Sequence, residues 1–168
     1  MKPIRILVTL LALVGLSACY TSENALVGDD VAVTPFAKIT FHAKAGEEKP
    51  DDKPAVFTRD GKAYISHGEN GDMWLHLKPV EGDFYVAQLS GTGGDGKTEY
   101  LYAYLRIDAA NKVADAYRTV GTKADVRPGF HECKDAVCVD DLDVYIAYAK
   151  EAVAAGGAPD TSFGIDVE

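Results

Sequence analysis

Glu99-Tyr-Leu-Tyr-Ala-Tyr-Leu-Arg-Ile107 alternates along its whole length. Tyr100, Tyr102, Tyr104 and Arg106 fall on one side, and Leu101, Ala103, Leu105 and Ile107 on the other. A period of two marks a β-strand, and tyrosine and isoleucine suit its pleated surface. The aliphatic set reads as core. The tyrosine set admits three readings: a concave ligand surface, a surface on which a helix docks, or an exposed face. Tyrosine joins a large apolar ring to a polar tip, which suits binding. Tyr100, Tyr102, Tyr104 and Arg106 are therefore a candidate binding face, although tyrosine is also common in strands.

Immediately before this strand, Gly91-Thr-Gly-Gly-Asp-Gly96-Lys97-Thr98 matches the phosphate-loop pattern G-x-x-x-x-G-K-[ST] letter for letter. A working phosphate loop opens a helix, whose free amides and dipole face the anion. Here the motif opens a strand. The surrounding turns are also too short for the crossover helices of a parallel sheet. The stretch reads as a hairpin loop, and nucleotide binding is not expected.

Outward from it, short alternating segments follow one another from Ala37. Ile39, Phe41 and Ala43 share a face, and the charged run Gly46–Pro54, with six charges and two prolines, makes a solvated loop. Ala55–Arg59 and Lys62–Ser66 flank Asp60-Gly61, a strong hairpin signal whose turn positions want positive φ. Met73–Lys78, Phe84–Ser90, Glu99–Ile107 and Val113–Thr119 complete seven strands with close turns. In Met73–Lys78, Trp74, His76 and Lys78 oppose Met73, Leu75 and Leu77, so Trp74 and His76 join the candidate binding face. Beyond Thr122 the period changes. Leu142, Tyr145, Ile146, Ala149 and Val153 form one stripe of a helix at about 140–155, with Asp140, Asp141 and Asp143 at its start and Gly156-Gly157 at its end. The tail Ser162–Val167 alternates weakly, as an edge strand would. The fold class is α+β and mostly β: an antiparallel meander, a curled sheet or a barrel, with one C-terminal amphipathic helix.

At the amino terminus, Lys2 and Arg5 precede an apolar run from Ile6 to Leu16, interrupted by Thr9 and Gly15. Eleven residues suit the hydrophobic region of a signal peptide but fall short of the roughly 20 needed to span a bilayer. The run ends in Leu16-Ser17-Ala18-Cys19, which resembles the lipobox of bacterial lipoproteins. The resemblance implies cleavage after Ala18 and a diacylglyceryl thioether on Cys19, with palmitate-type chains anchoring the protein to a membrane. Each buried methylene contributes about 0.8 kcal/mol to such an anchor. It also implies a place in the cell envelope. Tyr20 stands where an aspartate would mark inner-membrane retention, which favours the periplasmic face of the outer membrane. Residues 1–18 then form the signal peptide, 19–36 a lipidated tether, and 37–168 a single domain.

Without the leader, 15 of the 17 basic residues remain against 26 acidic ones, a formal charge of −11. Such a chain is repelled by nucleic acid. With Cys19 lipidated, Cys133 and Cys138 are an even pair in an oxidising compartment, and a disulfide between them is expected. A metal site using His131 is the weaker reading, because no further ligand pair accompanies it. His42, His67, His76 and His131 are dispersed, and no nucleophile motif or spaced carboxylate pair stands out. No catalytic residue, cofactor or metal is assigned.

Function is read at the level of class. The domain suits a non-enzymatic envelope lipoprotein binding a small hydrophobic ligand or a protein. An inhibitor or assembly partner of an envelope enzyme is the alternative, with loop 91–97 or 123–139 as the contact. The Gly-x-Trp that lipocalins carry near their first strand is missing, since Val27-Gly28 lacks the tryptophan.

Overall fold

The computed structural model describes residues 19–43, 53–68, 71–92, 96–133 and 136–168. Its strands are β1 (Tyr20–Ser22), β2 (Lys38–His42), β3 (Ala55–Asp60), β4 (Ala63–Gly68), β5 (Gly71–Glu81), β6 (Phe84–Thr92), β7 (Thr98–Asp108), β8 (Val113–Tyr117), β9 (Phe130–Cys133), β10 (Ala136–Val139) and β11 (Thr161–Val167). One helix, α1 (Leu142–Ala154), lies between the last two. No helix among the described residues is long and apolar enough to cross a membrane.

The seven expected strands are β2 to β8, each antiparallel to the next. Close turns make this possible. Asp60 pairs with Ala63, and Gly61 occupies the turn with φ +62°. The two-residue loop is thus Gly61-Lys62 rather than Asp60-Gly61, with glycine first and only that residue at positive φ. Most of the charged run 46–54 lies outside the described residues.

β11 then pairs with β8 on one side and β2 on the other, closing an eight-stranded barrel. The tail is therefore a wall strand and not an edge. Its alternation reads as weak because Gly164 stands on the outer face, where the His42 ring lies against it. A Cβ there would approach that ring to 2.2 Å. Phe163, Ile165 and Val167 all point inward to the barrel core.

A second, smaller assembly grows from one edge of β7. The C-terminal half of that edge pairs with β8 through Tyr104–Asp108, while Leu101 and Tyr100 pair with Thr21 and Ser22 of β1. β10 runs parallel to β1, and β9 antiparallel to β10. β1, β10 and β9 form a three-stranded flap on this edge, tied to the chain beyond β8 by the Tyr20 N–H donating to Thr119 O. The helix packs beside it, capped by Asp141, whose carboxylate accepts from the backbone N–H of Asp143 at 2.9 Å and of Val144 at 3.3 Å.

The stretch 19–36, expected as a tether, is part of the fold. Tyr20 has no exposed surface, and its ring lies edge-on to Tyr145, Phe130 and Tyr148 at 5.4, 5.8 and 6.3 Å. Val27 and Ala32 are buried in the same cluster. A buried amide holds them there: Gln88 Oε1 accepts from Leu26 N–H at 2.8 Å and Val27 N–H at 2.9 Å, while its Nε2 donates to Val27 O at 3.2 Å. These partners all lie far along the chain, so the segment looks like a linker until the sheet is assembled. Replacing Tyr20 by alanine is expected to lower unfolding free energy by about 3–5 kcal/mol in urea titrations, the usual cost of deleting a buried aromatic ring; a tether residue would leave the midpoint unmoved.

Candidate functional site

The barrel lumen is filled at one end and open at the other. Ile39, Tyr64, Leu77, Ile107 and Ile165, each no more than 3 % exposed, pack the closed end. Between this end and the mouth, three inward positions carry alanine. Ala87 faces Ala103 across the β6–β7 pair, and Ala116 faces Leu105 across β7–β8. An eight-stranded barrel is just wide enough for side chains to fill. Alanines at these positions therefore leave space, and a cavity of about 750 Å³ results. Its wall is mostly apolar: Phe41, Phe57, Leu75, Leu89, Leu101 and Phe163 line it with the three alanines. The volume falls within the roughly 300–1,000 Å³ of small-molecule sites.

The cavity reaches the surface where Lys97, Thr98 and Glu99 are exposed, and the flap forms the adjoining rim. Tyr20 and Thr21 point to opposite faces of β1. Tyr20 enters the helix-side cluster, whereas Thr21 lines the cavity. Cys133 and Cys138 form a disulfide across the β9–β10 hairpin, with Cα atoms 5.7 Å apart. Thr21 Oγ1 lies 3.6 and 3.5 Å from their sulfurs. The closed loop of the disulfide stabilises by about 2 kcal/mol in the chain-entropy account, and it stiffens the rim. Cys19 is also a lining residue. It is half-buried, and burial pushes its thiol above the ordinary range.

The expected binding face lies mostly elsewhere. Tyr100, Tyr102 and Tyr104 belong to the outer cluster on which α1 docks, together with Tyr145 and Ala149 of the helix. Of the three readings of the tyrosine stripe, helix docking is the one the structure realises. Tyr102 Oη donates to Gln88 Oε1 at 2.9 Å and lies 2.7 Å from Ser22 Oγ, so it also holds the amino-terminal segment. Tyr104 stacks on Phe84 with centroids 5.1 Å apart. Arg106 stands beyond this cluster, 3.4 Å from Asp108. Trp74 and His76 lie on the outer face of β5, away from the lumen, and His76 Nε2 is 3.4 Å from Asp29. Tyr100 and Tyr102 alone among these six also line the cavity. Leu101 and Ala103, expected as core, line the lumen with Ala87 and Leu89. Its only sequence signal is the smallness of the alanines.

The histidines stay apart, each beside its own carboxylate: His42 with Asp166, His67 with Asp72, His76 with Asp29 and His131 with Asp140. His131, Cys133 and Cys138 bring their donor atoms within 4.8 Å of one another. Both sulfurs are tied in the disulfide, which leaves no thiolate for a metal while it is intact. Within Gly91–Thr98, Gly91 pairs with Glu99 and Thr92 with Thr98. The motif is thus a hairpin tip between two strands with no helix after it; residues 93–95 lie outside the described set. Comparison with protein-family models, with curated proteins and with solved structures finds no match to this chain.

The buried tyrosines carry a pH signature. Burial raises the hydroxyls of Tyr20, Tyr102 and Tyr145, and pushes Tyr104 up to about 12, with the Glu81 carboxylate adding to the effect. In the unfolded chain tyrosine ionises near 10. Raised folded values mean full stability below that pH and progressive loss above it. Urea midpoints are expected to hold to about pH 9 and fall between about pH 10 and 12, in step with tyrosinate absorbance; a flat profile would contradict the helix-side packing.

Proposed function

We propose that this protein is a lipid-anchored lipoprotein of the cell envelope, on the periplasmic face of the outer membrane, whose barrel lumen binds a small hydrophobic ligand without catalysing a reaction on it. The observation that carries the reading is the apolar cavity of about 750 Å³, built by the inward face of the barrel and left open by Ala87, Ala103 and Ala116. The chemistry of the wall supports an elongated hydrocarbon in particular. Aromatic and aliphatic side chains line the deeper part, while Lys97, Thr98 and Glu99 stand at the surface, where a polar head would meet water. The lipobox-like Leu16–Cys19 supports the anchor.

Supporting the non-enzymatic part, Phe41, Phe57, Leu75, Leu89 and Phe163 give the lumen a hydrocarbon wall, and the histidines pair with carboxylates one by one away from it. Ligand capture then depends on the removal of apolar surface from water, at about 25 cal/mol per Å².

The test uses the unlipidated chain from residue 19, with Cys19→Ser to prevent stray thiol chemistry, titrated with the fluorescent fatty acid cis-parinaric acid. Saturable binding with one site per barrel is expected. Ala103→Phe should fill the lumen and weaken binding by at least about tenfold, while the thermal midpoint stays level or rises. Loss of the fluorescence signal in the parent chain itself would sink the proposal.

A further inference from the structure

Resting on the reading of Cys19 as the lipidated residue and of the lumen as an apolar-ligand site, we infer that the resting occupant of the lumen is an acyl chain carried by Cys19 itself. Cys19 is part of the cavity lining, together with Thr21 and Leu101. A glyceryl thioether on this side chain starts at the cavity lining, so the attached chain has the lumen wall within reach.

The backbone keeps it there. Cys19 O accepts from Val137 N–H at 3.3 Å, Tyr20 N–H donates to Thr119 O at 3.4 Å, and Cys19 forms an isolated bridge with Val120. The next side chain, Tyr20, has no exposed surface. Moving the sulfur away from the rim would pull Tyr20 from its aromatic cluster. No flexible spacer separates the anchor from the cavity.

This geometry sets up a competition. A hydrocarbon chain gains nearly the same from leaving water whether it enters a bilayer or a dry apolar lumen. The difference comes from attachment. A chain tethered at the rim exchanges between bilayer and lumen at an effective concentration on the order of millimolar, whereas a free lipid must also desorb whole and find the rim. One chain of the anchor occupies the lumen and the others remain in the membrane. An outside ligand enters only as that chain withdraws, so the anchor regulates access to the site.

To test this, cells producing the full chain are fed a diazirine-bearing fatty acid, so that the lipid on Cys19 carries the photoreactive group. After illumination in membranes, cross-linked peptides are mapped, and the mass of the Cys19 peptide is read in the same digest. Cross-links within β6 and β7, around Leu89, Leu101 and Ala103, are expected. The lipidated protein should also bind cis-parinaric acid at least about tenfold more weakly than the unlipidated Cys19→Ser chain. Cross-links to membrane lipid alone, with equal parinaric binding by both forms, overturn the inference and leave the ligand-binding reading standing. Failure of the unlipidated chain to bind overturns that reading and the inference with it. A Cys19 peptide of unmodified mass removes the anchor and therefore the inference.

Discussion

A strand sends alternate side chains to opposite faces, and β7 buries both. Leu105 and Ile107 enter the barrel core, while Tyr102 and Tyr104 enter the cluster beneath the helix. One wall thus serves two cores, and neither can be rearranged alone. A shift of one residue in the register of β7 would put tyrosines into the lumen and aliphatics under the helix. The lumen would then be too crowded for a cavity, and the Tyr102–Gln88 contact would be lost. The space inside the barrel and the docking of α1 outside it follow from the same alternation.

The edge of β7 divides the molecule in a second way. β8 takes one half of it and β1 the other, so the wall opens into a flap at the point where the amino-terminal residues arrive. The disulfide hairpin stiffens that flap, and Gln88 fastens the following turn from beneath. Burying a polar amide costs stability unless its partners are supplied, and here backbone groups of residues 26 and 27 supply them. The result is that the residue proposed to carry the lipid and the rim of the proposed binding site occupy one rigid neighbourhood.

Much of the barrel was legible in the sequence. The alternation of β2 to β8, the short turns between them and the helical stripe from Leu142 to Val153 are local signals, and each survived assembly. What was hidden depends on partners distant in sequence. β1 is only three residues long, and nothing near Tyr20 announces that it will meet Phe130 and Tyr145. β9 and β10 are four residues each and take their pairing from the hairpin they form. The candidate site was least legible of all. Period two separates the Leu101–Ile107 face from the Tyr100–Arg106 face, but it does not say which is concave. Aromatic richness pointed to the tyrosines, whereas the cavity belongs chiefly to the aliphatic side, with Tyr100 and Tyr102 also reaching it. It exists because register places Ala87 against Ala103, a pairing that no single segment contains.

Closure by β11 also has a kinetic side. His42 meets Gly164 only after nearly the whole intervening chain has been made, so the last ladder joins very remote segments. Non-local pairing of this kind slows folding, since the loop must close before its contacts contribute. Until then β2 and β8 each present a bare edge that another chain could extend. Closure by β11 therefore does more than complete the wall: it removes the two edges through which one barrel could join another.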